Sequence, residues 1–199
     1  PFSFSSSAAR PERLAFTSQT FERFPDWWVA DGSLRNPKRV SDANPQIADF
    51  LWGRRVLVDY VDERGNKLQA TLALPAGYEQ GKRYPMIVYF YEKYSQRHHE
   101  FSLPVYDDRP HMSTYASNGY LVLMPDIVYD EGYPGSSALD DVVAASKKAI
   151  ELGYADPERI GLQGHSWGGY ETSFILTQTD MFATIVTGAP LTNLTSMNN

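Results

Sequence analysis

Gly164-His165-Ser166-Trp167-Gly168 sets a serine between two glycines, after the strand-forming run Arg159 to Gln163 and before a helix-forming run from Gly168 to Thr179. A serine alcohol is a poor nucleophile by itself. It attacks an acyl carbon when a sharp turn projects it toward a base and backbone N–H groups face the developing oxyanion. Gly164 and Gly168, joined by Gly169, remove side chains that would collide where strand and helix approach so closely. The helix N-terminus adds partial positive charge, and the backbone N–H of Trp167 is a predicted oxyanion donor. The competing reading is a turn that only tightens a connection or binds a phosphate. The surrounding elements weigh against it, because at least three predicted strands and a crossover helix precede the pentapeptide.

Those elements read as follows. Up to about residue 46 the chain holds short β-rich pieces, Arg13 to Phe16 and Trp27 to Ala30, between turn clusters at Asp31-Gly32-Ser33 and Asn44-Pro45, which predicts one or two sheet hairpins. Arg55 to Val61 and Lys67 to Leu74 read as a hairpin around Asp62-Glu63-Arg64-Gly65-Asn66. Pro85 to Tyr91 and Tyr120 to Met124 are apolar enough for strands buried on both faces, with a helix over Met112 to Ala116 that ends at Asn118-Gly119. Leu139, Val142, Val143 and Ile150 fall on one face of a helix over Ser137 to Leu152, with Asp140 and Asp141 expected in its first turn and Gly153 ending it. A turn at Asp156-Pro157 and a further buried strand, Phe182 to Gly188, complete the pattern. Alternating strands and helices predict an α/β fold with a mainly parallel sheet covered on both faces.

Composition narrows the function classes. A net charge of −6 and a pI near 5.2 speak against a nucleic-acid surface, which needs clustered Lys and Arg. No window approaches the ~20 apolar residues of a membrane span, and the opening PFSFSSSAAR lacks a basic segment followed by an apolar one, so no membrane partner is expected. The absence of cysteine excludes disulfides, thiol catalysis and thiolate-held zinc. Periplasmic, secreted and cytoplasmic locations all remain open. His98 and His99 with Asp107, Asp108 and His111 could suggest a metal site, but adjacent histidines project apart and no helical pair supports them. A polar surface loop is expected there, with no metal and no cofactor.

The stretch Asp156-Pro157-Glu158-Arg159-Ile160-Gly161 leading into Gly164-His165-Ser166-Trp167-Gly168-Gly169-Tyr170, and Ala189-Pro190 after the next strand, resemble the prolyl oligopeptidase family of serine peptidases. Leu74-Pro75-Ala76-Gly77-Tyr78 and Lys82-Arg83-Tyr84-Pro85 are similar to the family's entry into the core sheet. The resemblance implies an α/β-hydrolase fold over residues 47–199, here its N-terminal part, preceded over 1–46 by a segment like the last blade of a β-propeller. Phe24-Pro25-Asp26, Trp28-Val29-Ala30 and Arg39-Val40-Ser41-Asp42 carry that second likeness. It also implies that the hydroxyl of Tyr91 completes the oxyanion hole, although Glu92-Lys93-Tyr94 stand where relatives have glycines. Trp167, Leu191 and Met197 would line the pocket for the side chain before the scissile bond.

In α/β-hydrolases the acid and the histidine follow the serine. Only 33 residues follow Ser166, and they include Asp180 but no histidine. His98, His99, His111 and His165 all precede it, and His165, in the turn itself, is expected to point into structural contacts. The expectation is a piece of a longer serine peptidase that cleaves short peptides through an acyl-enzyme on Ser166, its Asp and His supplied by the remainder of the catalytic domain. The expected partners are that remainder and a peptide substrate; oligomeric state is open, a homo-oligomer included. A carboxylesterase or lipase on the same fold, or an inactive hydrolase fragment with a binding role, are the alternatives.

Overall fold

The computed structural model describes residues 2–7, 13–103 and 110–198, with side chains described over 13–103 and 110–196. The chain opens with a four-stranded antiparallel meander in sequence order: β1 (Phe2–Ser7), β2 (Arg13–Thr20), β3 (Arg23–Asp31) and β4 (Lys38–Arg39). The one or two hairpins expected here form one continuous sheet, in which each strand pairs antiparallel with the next.

The larger sheet has six strands. β5 (Arg54–Val61) and β6 (Lys67–Leu74) form the expected hairpin, and β7 (Tyr84–Tyr89), α1 (Met112–Ser117), β8 (Leu121–Pro125), α2 (Pro134–Glu151), β9 (Ala155–His165), α3 (Trp167–Leu176) and β10 (Thr184–Gly188) follow. The strand order is β10-β9-β7-β8-β6-β5. The β7–β8, β7–β9 and β9–β10 pairs are parallel, whereas β5–β6 and β6–β8 are antiparallel.

Strand alternation sends successive side chains to opposite faces, and each face has its own core. Leu72, Leu74, Met86, Val88, Leu121 and Leu123 pack under Ala138, Val142, Ala145 and Ala149 of α2 and Ile175 of α3. Ala73, Tyr89, Val122 and Met124 face the other way, against Ala116 of α1 and Phe21 from the β2–β3 turn. Fully burying each of the Leu, Val, Met, Ile and Phe side chains among them contributes about 1.5–3 kcal/mol.

Several expectations are corrected. β7 ends at Tyr89, so Tyr91 lies in the loop beyond it. α2 begins at Pro134, whose fixed φ suits the first helical position, which moves Asp140 and Asp141 out of the first turn. Asp156-Pro157 is absorbed into β9, where Asp156 accepts from the Glu158 N–H and from Arg159, and the pairing with β7 shifts register. Phe182 is buried, but β10 starts only at Thr184 and among the described residues pairs on one side only, which leaves Val186 55% exposed.

Candidate active site

Ser166 sits between the last residue of β9 and the first of α3, with φ 56 and ψ −114. A non-glycine residue is strained in this region, by about 1–3 kcal/mol. The surroundings hold it there. Its N–H donates to the Gly188 carbonyl at 2.9 Å, and its own carbonyl accepts from the Tyr170 N–H at 3.0 Å. The hydroxyl makes no capping bond to the helix and is partly exposed.

The neighbouring glycines are required by close approach. A Cβ on Gly164 would stand 2.1 Å from the Gly168 oxygen, one on Gly168 2.6 Å from the Phe90 oxygen, and one on Gly169 2.6 Å from the Gly188 oxygen. Strand, helix and both flanking strand ends therefore meet at backbone distance. Thr172 donates to the Gly168 carbonyl, while Ser173 and Thr187 both donate to that of Gly169, which fixes the start of α3 against β10.

Trp167 is the first residue of α3, where an N–H has no carbonyl one turn back to bond within the helix. Its half-buried indole stacks on Tyr170, with ring centroids 5.0 Å apart. Tyr91 is also half-buried, and its ring edge comes within 3.8 Å of the position a Gly168 Cβ would take. The structure thus brings Tyr91 to the start of the serine's helix. Pro190 packs against Gly169, and Leu191, half-buried, follows directly. The Met197 side chain lies outside the described residues. His165 turns its ring against Gly188 on β10, the structural contact expected of it.

The loop that carries Tyr91 is held by buried polar side chains. Asp126, buried at the end of β8, accepts from the N–H groups of Tyr94 and Ser95 at 2.6 and 2.8 Å and from the Ser95 hydroxyl at 2.5 Å. Its carbonyl accepts from Tyr60. Further along, the buried Arg55 guanidinium donates to the carbonyls of Arg97, His98 and Glu100. Burial lowers its pKa to about 10, still far above neutrality. His98 and His99 meet edge to face there, and burial, then His99 and Arg55, lower the His98 pKa. Among the described residues no group of three His, Asp or Glu is placed to hold a metal ion, and Asp107 and Asp108 lie outside them.

A second set of polar residues meets beside the serine. Tyr129, between β8 and α2, places its hydroxyl 2.7 Å from the Tyr91 carbonyl and 2.5 Å from Glu171 Oε1. Burial first, and then Glu171, pushes the Tyr129 phenol up. Glu171 on α3 is fully buried, and burial first, with Glu92 and Asp141 adding, raises its pKa to about 8. The Tyr129 segment is anchored in turn. Asp141 accepts from the Val128 N–H and from Arg64, which also reaches Asp62 and Asp130. Sequence reasoning singled out none of Asp126, Tyr129 and Glu171, because no local spacing announces them.

The described clefts lie elsewhere. One of about 1180 Å³ runs between the β5–β6 hairpin and α2 and is lined by Asp59, Asp62, Lys67, Asp140 and Lys147, not by Ser166. Its mixed charges include no nucleophile next to a base.

Residues 106–199 match the prolyl oligopeptidase family. The chain is 24% identical to dipeptidyl peptidase 4 of Bos taurus over 73% of its length and 20% of that protein's. It is 28% identical to the uncharacterized peptidase YuxL of Bacillus subtilis over 71% of its length and 22% of that protein's. It thus spans about a fifth of the length of these curated relatives. Among solved structures, the acylaminoacyl peptidase of Pyrococcus horikoshii superposes with a TM-score of 0.68 at 22% identity, over 93% of this chain and 30% of that one. No helix among the described residues is long and apolar enough to cross a membrane. Residues 106–199, which contain the strained Ser166 and its glycines, are thus similar to the prolyl oligopeptidase family, and the two curated peptidases resemble the chain over 73% and 71% of its length.

Proposed function

We propose that the protein is a serine peptidase acting on short peptides through an acyl-enzyme on Ser166. The observation that carries this is the backbone of Ser166, held at φ 56 by close-packed glycines at a strand-to-helix junction with its hydroxyl left uncapped. Such a geometry destabilises the chain locally and is kept where strain serves function. The Trp167 N–H and the Tyr91 hydroxyl stabilise the tetrahedral oxyanion, and the base and acid of the triad come from outside residues 1–199. Trp167, Leu191 and Met197 form part of the wall for the side chain before the scissile bond, which favours apolar side chains. The β1–β4 meander, within residues 1–46, is a blade of a propeller that stands before the hydrolase domain of residues 47–199.

Steady-state kinetics on the natural full-length polypeptide test this. Peptide anilides should be cleaved, and Ser166→Ala should lower kcat by a factor of about 10⁴ or more. Simple esters turned over while peptides are not would favour a carboxylesterase instead.

A further inference from the structure

The hydroxyl of Tyr129 stands between two oxygens, the Tyr91 carbonyl at 2.7 Å and Glu171 Oε1 at 2.5 Å. A phenol has one proton to donate, and a backbone carbonyl can only accept. Were Glu171 a carboxylate, both neighbours would be acceptors and one contact would set lone pair against lone pair. A proton on Glu171 removes the conflict: Glu171 donates to Tyr129, and Tyr129 donates to the Tyr91 carbonyl.

The surroundings favour the neutral acid as well. Glu171 is fully buried, and its Oε2 has no hydrogen-bond partner among the described residues. None of the ion pairs among the described residues includes it. The charged groups that act on it are Glu92, from the loop after β7, and Asp141, from α2, and both are acidic. A carboxylate would be desolvated, half unpaired and faced by like charge.

We infer that Glu171 is a neutral, hydrogen-donating positioning residue that latches through Tyr129 onto the backbone of Tyr91 and holds this tyrosine beside the helix that follows Ser166. The inference rests on the peptidase reading and adds a proton to it. Glu171 touches no reacting atom; it acts on where Tyr91 sits. When the proton leaves, Tyr129 turns its own hydrogen to the carboxylate and releases the Tyr91 carbonyl. Acylation then slows on an alkaline limb that belongs to Glu171, expected near its ionisation at about 8.

The natural full-length polypeptide serves for the test, with fluorophosphonate labelling of Ser166 and peptide hydrolysis followed from about pH 6 to about pH 9.5. Glu171→Leu and Tyr129→Phe should each lower kcat about tenfold or more with KM changed by less than about threefold. Glu171→Gln, which still donates an N–H, should recover most of the rate lost in Glu171→Leu and show no alkaline limb. Hydrogen exchange over residues 90–93 gives a readout independent of turnover. Protection there should fall in Tyr129→Phe at every pH, and in wild type only above about pH 8. An alkaline limb that persists unchanged in Glu171→Gln overturns the inference, and so does equal protection of 90–93 in wild type and Tyr129→Phe. A wild-type protein that never labels at Ser166 removes the peptidase reading alone, and the exchange data still decide whether the latch exists.

Discussion

In the proposed mechanism, Ser166 draws its reactivity from a backbone position that resists it. The strain at φ 56 should be measurable: glycine reaches that region without penalty, so Ser166→Gly should be more stable than Ser166→Ala by about 1–2 kcal/mol in denaturant titration, with both inactive. Gly164→Ala would drive a methyl into the Gly168 carbonyl and the Thr172 hydroxyl. It should destabilise the protein by about 1–3 kcal/mol and abolish labelling while distant structure persists. Glu171 predicts a pH dependence. Its folded pKa, about 8, lies above the usual 4.5, so between these values the unfolded chain binds fewer protons and stability falls as pH rises. Wild type should lose stability relative to Glu171→Gln across that window, on the order of 5 kcal/mol at most, and the gap should level off above about pH 8. The serine and its glycines were legible in the sequence because a turn this tight writes its demands into adjacent positions. Tyr129 and Glu171 were not, since 42 residues separate them and nothing local marks either one.

Elements were easiest to foresee where one local rule governed them. The β5–β6 hairpin follows from its turn residues, with Gly65 at φ 85, and α1 ends at Gly119 with φ 86, as the Asn118-Gly119 pair implied. Expectation failed where tertiary contacts intervened. Composition suggested a buried strand at β10, but burial there depends on a neighbour, and among the described strands β10 has only β9. Asp141 read as a dipole partner in a first turn; with α2 starting at Pro134 it is a buried anchor for Arg64 instead. Arg64 thereby joins the β5–β6 turn to α2 and to the segment that carries Tyr129. Arg64→Met should leave the buried Asp62 and Asp141 carboxylates unpaired and destabilise the fold by about 3–5 kcal/mol, as seen in thermal or denaturant unfolding. Asp126 acts on the other end of the same loop. Asp126→Ala strips two N–H groups and a hydroxyl of their acceptor and should raise hydrogen exchange at Tyr94 and Ser95.

At the scale of the whole molecule, two sheets meet through few but bulky contacts. Phe21 from the β2–β3 turn enters the α1 face of the larger sheet, stands edge-on to Trp52, and lies 4.4 Å from the Arg55 guanidinium. Phe101 joins the cluster against Trp52 and Phe24, and its N–H donates to Gln19 on β2. Arg55 thus belongs both to this junction and to the loop that continues from Tyr91. Phe21→Ala should destabilise the protein by about 3–5 kcal/mol, with the first protease cuts in the exposed stretch between β3 and β5. The central claim, a serine activated by its turn, is tested most directly by phosphonylation. The natural full-length polypeptide is treated with a fluorophosphonate, digested, and the adduct located by tandem mass spectrometry. The account predicts one adduct, on Ser166, lost in Ser166→Ala and prevented by prior denaturation. An adduct on another residue, or none on Ser166 in the folded protein, would contradict it.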